Sequence, residues 1–153
     1  MNLIRTQKDQ FIFHLGKRER QLLLAVLKRY PLIPSSYQSL SKSPAALEQE
    51  TNQRLLDEAL AEQRRDNKRH LDALLKDRLR FKEVADGCRM TLTVSDVEWL
   101  LQVLNDIRVG SWIVLGSPDK DRLDPDLNEE TAPHVWAMEM AGYFQAHLLE
   151  GLP

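Results

Sequence analysis

Alternating apolar and polar residues mark two short strands. Phe11, Phe13 and Leu15 share one face of FIFHL, and Met90, Leu92 and Val94 alternate with Thr91 and Thr93. Each strand is followed by a helical pattern. Lys17 to Tyr30 crowds Leu22 to Leu27 into its centre and is stopped by Pro31. Ser95-Asp96-Val97-Glu98 reads as a capping box that opens a helix running to about Leu115. That second helix is apolar on nearly every side, the pattern of a helix enclosed by its neighbours. It also carries Asn105, Asp106 and Arg108, which need partners if they are buried. Gly110 in its middle predicts a close approach by another element.

Between the two units the chain changes character. Residues 31–43 are rich in Pro and Ser and read as a surface connection. Ser43-Pro44 reads as the cap and first position of a helix that continues to about Lys82, with Gly87 as its left-handed C-cap. Its two ends carry leucines, but Glu62 to His70 has no apolar residue. Those turns must bridge solvent, or the helix breaks near Asn67. Residues 116–130 form an acidic loop, and 131–149 a final helix with Trp136, Met140, Tyr143 and Phe144 on its buried side. FIFHLGKRERQLLL and MTLTVSDVEWLLQV share the order strand, turn, helix, with Glu19 and Glu98 at matching places 79 residues apart. That echo predicts that the two short strands pair, covered by helices.

Composition narrows the class. One domain over residues 1–153 is the natural reading of this length. An apolar fraction of 42% supplies a core, and charged residues at 29% suit a soluble surface. No secretory or membrane-spanning stretch appears, and the single Cys88 makes neither an intrachain disulfide nor a metal-ligand pair, so a cytoplasmic protein is expected. Net charge is −2, unevenly spread: residues 1–90 hold 18 Lys/Arg against 12 Asp/Glu, and residues 91–153 hold 3 against 11. Such asymmetry fits a nucleic-acid surface, or two faces that attract each other within the fold or across a dimer.

Candidate chemistry is sparse. Asn105 and Arg108 are helical neighbours, with Asp106 on another side; they read first as internal fasteners, then as binding or interface residues. No nucleophile sits at helical spacing with them, so no catalytic residue is assigned. Glu62, Asp66 and His70 are metal-ligand types at helical spacing, but they lie in the most polar stretch. The Glu-x-x-His pattern of helical di-iron sites also fails at Asn67. Asp119, Asp121 and Glu130 match three calcium-loop positions, while Leu123 and Asp124 break the rest. Neither a metal nor a cofactor is therefore expected. Arg64, Arg65, Lys68 and Arg69 form the alternative, a basic helix face for nucleic acid, without stacking aromatics nearby.

LNDIRVGSWIVLG, from Leu104 to Gly116, resembles the uncharacterised bacterial family named domain of unknown function 2017, typified by a Leu-Asn-Asp-x-Arg core followed by Leu-Gly. The helix openings at Glu19 and Glu98 and the last helix, with Trp136 and Phe144-Gln145, resemble it too, while Trp112 and Val114 depart from its pattern. The resemblance implies no established activity. Family members are often encoded near the adaptor of the Clp protease, and some are labelled regulators. The expected fold is mainly α, a helical bundle around a buried central helix 96–115 with a small two-stranded antiparallel ribbon, about 10–15 with 89–94. The expected function is a non-enzymatic protein-interaction or regulatory factor that forms a homodimer and meets an unknown protein partner. A nucleic-acid-binding regulator is the alternative, and a small-ligand or enzyme site near Asn105 and Arg108 is a further one.

Overall fold

The computed structural model describes residues 1–32, 47–118 and 127–152, of which 47–49 as backbone. The helix start at Ser43-Pro44, most of the Pro/Ser-rich connection, and the loop positions Asp119, Asp121, Leu123 and Asp124 lie outside these residues.

Two seven-residue strands, β2 (Gln10–Gly16) and β4 (Gly87–Thr93), run antiparallel, in register from Gln10 opposite Thr93 to Gly16 opposite Gly87. The pairing expected from the alternation is present, but it is not a ribbon. β1 (Asn2–Gln7) and β3 (Phe81–Val84) add to the outer edges, giving a four-stranded antiparallel sheet in the order β1-β2-β4-β3. The expectation of a mainly α bundle is thereby corrected to an α+β fold. β1 is an edge with five of its six side chains exposed, and β3 is a four-residue edge with two exposed. A strand so exposed or so short carries too little alternation to mark itself in the sequence.

The long-helix boundary is corrected as well. Helix α2 (Leu47–Lys76) stops at Asp77, whose Oδ1 accepts the Leu79 amide hydrogen at 3.0 Å. A side chain bonding its own backbone two residues on competes with the helix. Phe81, expected on that helix, instead opens β3 and is buried. Ala85-Asp86 turns the β3–β4 hairpin, and Gly87 is the first residue of β4 rather than a helix cap. α2 is continuous through its polar centre. Asn67 holds it there: its Nδ2 donates to Tyr30 Oη at 3.1 Å, and its Oδ1 accepts from Trp99 Nε1 at 3.0 Å. One turn on, His70 stacks on Trp99 with ring centroids 4.1 Å apart. Polar contacts therefore fix two turns that have no apolar residue to offer.

Phe11, Phe13 and Leu15 of β2 point to the same side of the sheet as Cys88, Met90 and Leu92 of β4, and all six are buried. Helices α1 (Lys17–Leu27), α3 (Val94–Val114) and α4 (Ala132–Leu149) add Leu23, Leu100, Leu104, Ile107, Phe144 and Leu148 to the same apolar cluster. Among the described residues no helix is long and apolar enough to cross a membrane.

The echo resolves into two hairpin–helix units, β1-β2-α1 and β3-β4-α3. Gln10 and Gly87 open the inner strands, Lys17 and Val94 the helices, and each pair is 77 residues apart. The antiparallel pairing of the inner strands relates the units by an approximate two-fold axis near Phe13 and Met90, which face each other. Glu19 therefore matches Asp96, not Glu98. Both carboxylates reach back to the amide before their helix: Glu19 Oε1 accepts from Gly16 at 3.1 Å, and Asp96 Oδ2 accepts from Thr93 at 3.0 Å. The capping box is Thr93 with Asp96, two residues earlier than Ser95 predicts, because the helix starts where the strand ends. Each carboxylate also meets a cation near the start of the outer strand: the Met1 amino group at Glu19, and Arg80 at 2.9 Å from Asp96.

Candidate functional site

α3 is enclosed on one side only, which corrects the expectation of a buried central helix 96–115. Val97, Leu100, Val103, Leu104 and Ile107 face the core, while Asn105, Asp106 and Arg108 are exposed. A nearly uniform apolar helix hides which side its neighbours cover; here α4 and the sheet take one side and leave the polar trio outside. The trio borders two adjoining depressions, Asp106 facing only the first. One is a cleft of 850 Å³ between α2, α3 and α4 that also meets Tyr30, Gln63, Arg64 and Asn67. The other is an apolar groove of 670 Å³ between α3 and α4, floored by Val109, Trp112 and Met138. Asn105 and Arg108 belong to both. Gly110 meets the close approach its position predicts: a Cβ there would lie 3.1 Å from the Leu32 carbonyl oxygen.

Each polar group has a distinct setting. Arg108 Nη1 donates to Gln145 Oε1 at 3.5 Å, a weak bond, and the Gln145 carboxamide in turn donates to the Leu101 carbonyl at 3.3 Å. Among the described residues no carboxylate pairs with Arg108. Partial desolvation by the cleft raises the Asp106 carboxyl above its ordinary value, and the Arg64 guanidinium acts in the opposite direction. Burial likewise raises the Tyr30 phenol, partly offset by the bond from Asn67. The Cys88 thiol is buried against the sheet and pushed up by desolvation, which disfavours the thiolate a nucleophile needs.

The raised Asp106 carboxyl gives a signed prediction. The folded protein holds this proton more tightly than the unfolded chain, so stability from this group is present at low pH and lost as pH rises through the folded value. Asp106→Asn is expected to raise Tm slightly at neutral pH, an effect that closes as pH falls toward the ordinary Asp value of 3.8. The change in Tm is small because the side chain keeps much of its contact with solvent. Thermal melts of both proteins from neutral to acidic pH check this, and a lower Tm for the variant at neutral pH would count against it.

The other singled-out residues do not converge. Arg64 turns into the cleft, and Lys68 pairs with Asp72 at 3.6 Å. Arg69 pairs with Asp66 at 3.4 Å, and it and Arg65 are exposed. The four cations lie along one side of α2, and acids on the same helix offset the charge of Lys68 and Arg69. His70 stacks on Trp99 and Asp66 faces Arg69, away from any shared ligand position with Glu62, and among the described residues no group of three or more His, Cys, Asp or Glu is placed to hold a metal. Sequence reasoning missed Tyr30 and Asn67 in the cleft, and Trp112 and Met138 in the groove. Asn67 had one usable signal, as an uncharged residue of turn-forming type in a run of charged ones. No family model, curated protein or solved structure matches the chain.

Proposed function

We propose that this is a cytoplasmic, non-enzymatic interaction or regulatory protein that meets its partner through the α3/α4 surface around Arg108. One observation carries the reading: Asn105 and Arg108 stand exposed where a cleft of mixed polarity meets an apolar groove, with Asp106 beside them in the cleft. An apolar centre with an exposed arginine at its edge is the composition of a protein-contact patch. Affinity capture from the source organism with the wild type and Arg108→Glu tests it. A partner held by the wild type and lost by the variant is expected. Identical captured sets, or a turnover abolished by changing Asp106 or Arg108, would overturn the reading. The cleft supports a second reading, a small anionic ligand between Arg64 and Arg108, which density for such a ligand in a crystal of the protein would favour.

A further inference from the structure

We infer that the α3/α4 groove receives the exposed first half of α2 from a second copy of this chain, reciprocally, so that two copies close into a symmetric dimer. The inference rests on the Arg108 surface being a protein-contact face, and it names the partner.

α2 is anchored only toward its C-terminal end. Leu71 and Leu74 are buried and Asn67 is hydrogen-bonded, but nearly every described side chain from Glu50 to Ala59 is exposed. Leu55 is 57% and Leu56 53% exposed. A ten-residue arm of straight helix is about 15 Å long, enough to lie along a groove between two helices. Leu55 and Ala59, one turn apart, form an apolar stripe with Leu56 beside it, and Arg54 and Glu58 run along its flank. No described α2 residue lines the chain's own α3/α4 groove.

The groove is the chemical counterpart of that arm. Its apolar floor has room for several leucine-sized side chains, and the Trp112 ring is held in place by its Nε1–H donating to the Pro118 carbonyl at 3.1 Å. One wall carries Arg108 and the other Glu139. Among the described residues Arg54, Glu58 and Glu139 form no ion pair, and Arg108 has only the Gln145 carboxamide. The arm offers an acid and a base one turn apart, and the groove offers a base and an acid on facing walls. Glu58 against Arg108 and Arg54 against Glu139 satisfy all four, and a two-fold axis uses each pair twice. Leucines on the arm and a tryptophan in the groove place the apolar contact at the centre with the charges at its rim.

Light scattering and sedimentation on the full chain test this at micromolar concentration. A dimer is expected for the wild type. Leu55→Asp with Leu56→Asp should weaken association about a hundredfold with unchanged far-ultraviolet circular dichroism, because both side chains are exposed in the monomer. Arg108→Glu should weaken it about tenfold, and adding Glu58→Arg should restore it. A monomeric wild type, a dimer indifferent to the arm substitutions, or no rescue by Glu58→Arg each overturns the proposal. A monomeric wild type that still captures a different partner, lost in Arg108→Glu, would eliminate the second copy while keeping Arg108 as a contact residue.

Discussion

Gly87→Ala is expected to be among the most damaging single substitutions in this chain, lowering stability by about 3 kcal/mol or more, with misfolding as the extreme outcome. Two independent constraints meet at this position. Its φ of +152° lies in a region that residues with a side chain rarely adopt. A Cβ built there would lie 1.9 Å from the Leu15 carbonyl oxygen, which is backbone and cannot move aside without opening the sheet. Gly87 pairs with Gly16 on β2 and with Val84 on β3, so displacement there disturbs both ladders of β4. Gly142→Ala is the natural control, since nothing lies within 4 Å of its Cβ position and α4 runs through it. Urea unfolding of the two variants decides the matter: Gly87→Ala losing less than about 1 kcal/mol would show that the sheet yields at this point.

Asp96→Ala is expected to lower stability by about 3 kcal/mol. Asp96 is only 5% exposed, and its carboxylate serves two structures at once. It accepts the Thr93 amide hydrogen at the start of α3, and loss of such a cap costs about 1 kcal/mol. It also takes the Arg80 guanidinium through both oxygens, at 2.9 and 3.3 Å, tying the entry of β3 to α3. Removing one partner of a buried ion pair costs about 3–5 kcal/mol. Arg80 is about one third exposed and can turn to water once unpaired, so the loss falls below the full sum. Arg80→Ala should cost less, and the double variant should show positive coupling. Additive effects in chemical unfolding would mean that the pair contributes little and that the cap alone accounts for the loss.

Much of the inner fold was legible. The alternation of Phe11, Phe13 and Leu15, and of Met90, Leu92 and Val94 with Thr91 and Thr93, marks the two inner strands, although Val94 itself opens α3, and their shared sequence order marks the pairing. Lys17, the Asp96 region and Gly110 mark two helix starts and a close approach, while α1 ends at Leu27, before the Tyr30 that Pro31 suggests. β1 is a sheet edge held by a neighbour's hydrogen bonds with five of six side chains exposed, and β3 has only four residues, so neither leaves an apolar rhythm long enough to recognise. The polar trio was misplaced because periodicity in α3 is flat: Trp112 at 39% and Val114 at 44% exposure are apolar residues on its open side. The groove was not legible at all, since Trp112 and Met138 come from different helices.

By itself the sequence determined the inward face of β2 and most of that of β4, where α1 begins and where α4 begins and ends, and that one long helix carries a polar centre. These are consequences of local geometry: a strand repeats every two residues, a helix every 3.6, and caps act within a turn. Only the tertiary structure decided that the sheet has four strands, that Asn67 locks α2 through Tyr30 and Trp99, and that Asn105, Asp106 and Arg108 face outward. Each depends on contacts between distant residues: Asn67 meets Trp99 across 32 positions, and Arg108 meets Gln145 across 37. Burial of a given helix side is set by whichever distant segment covers it, and a short window of sequence holds no record of that segment.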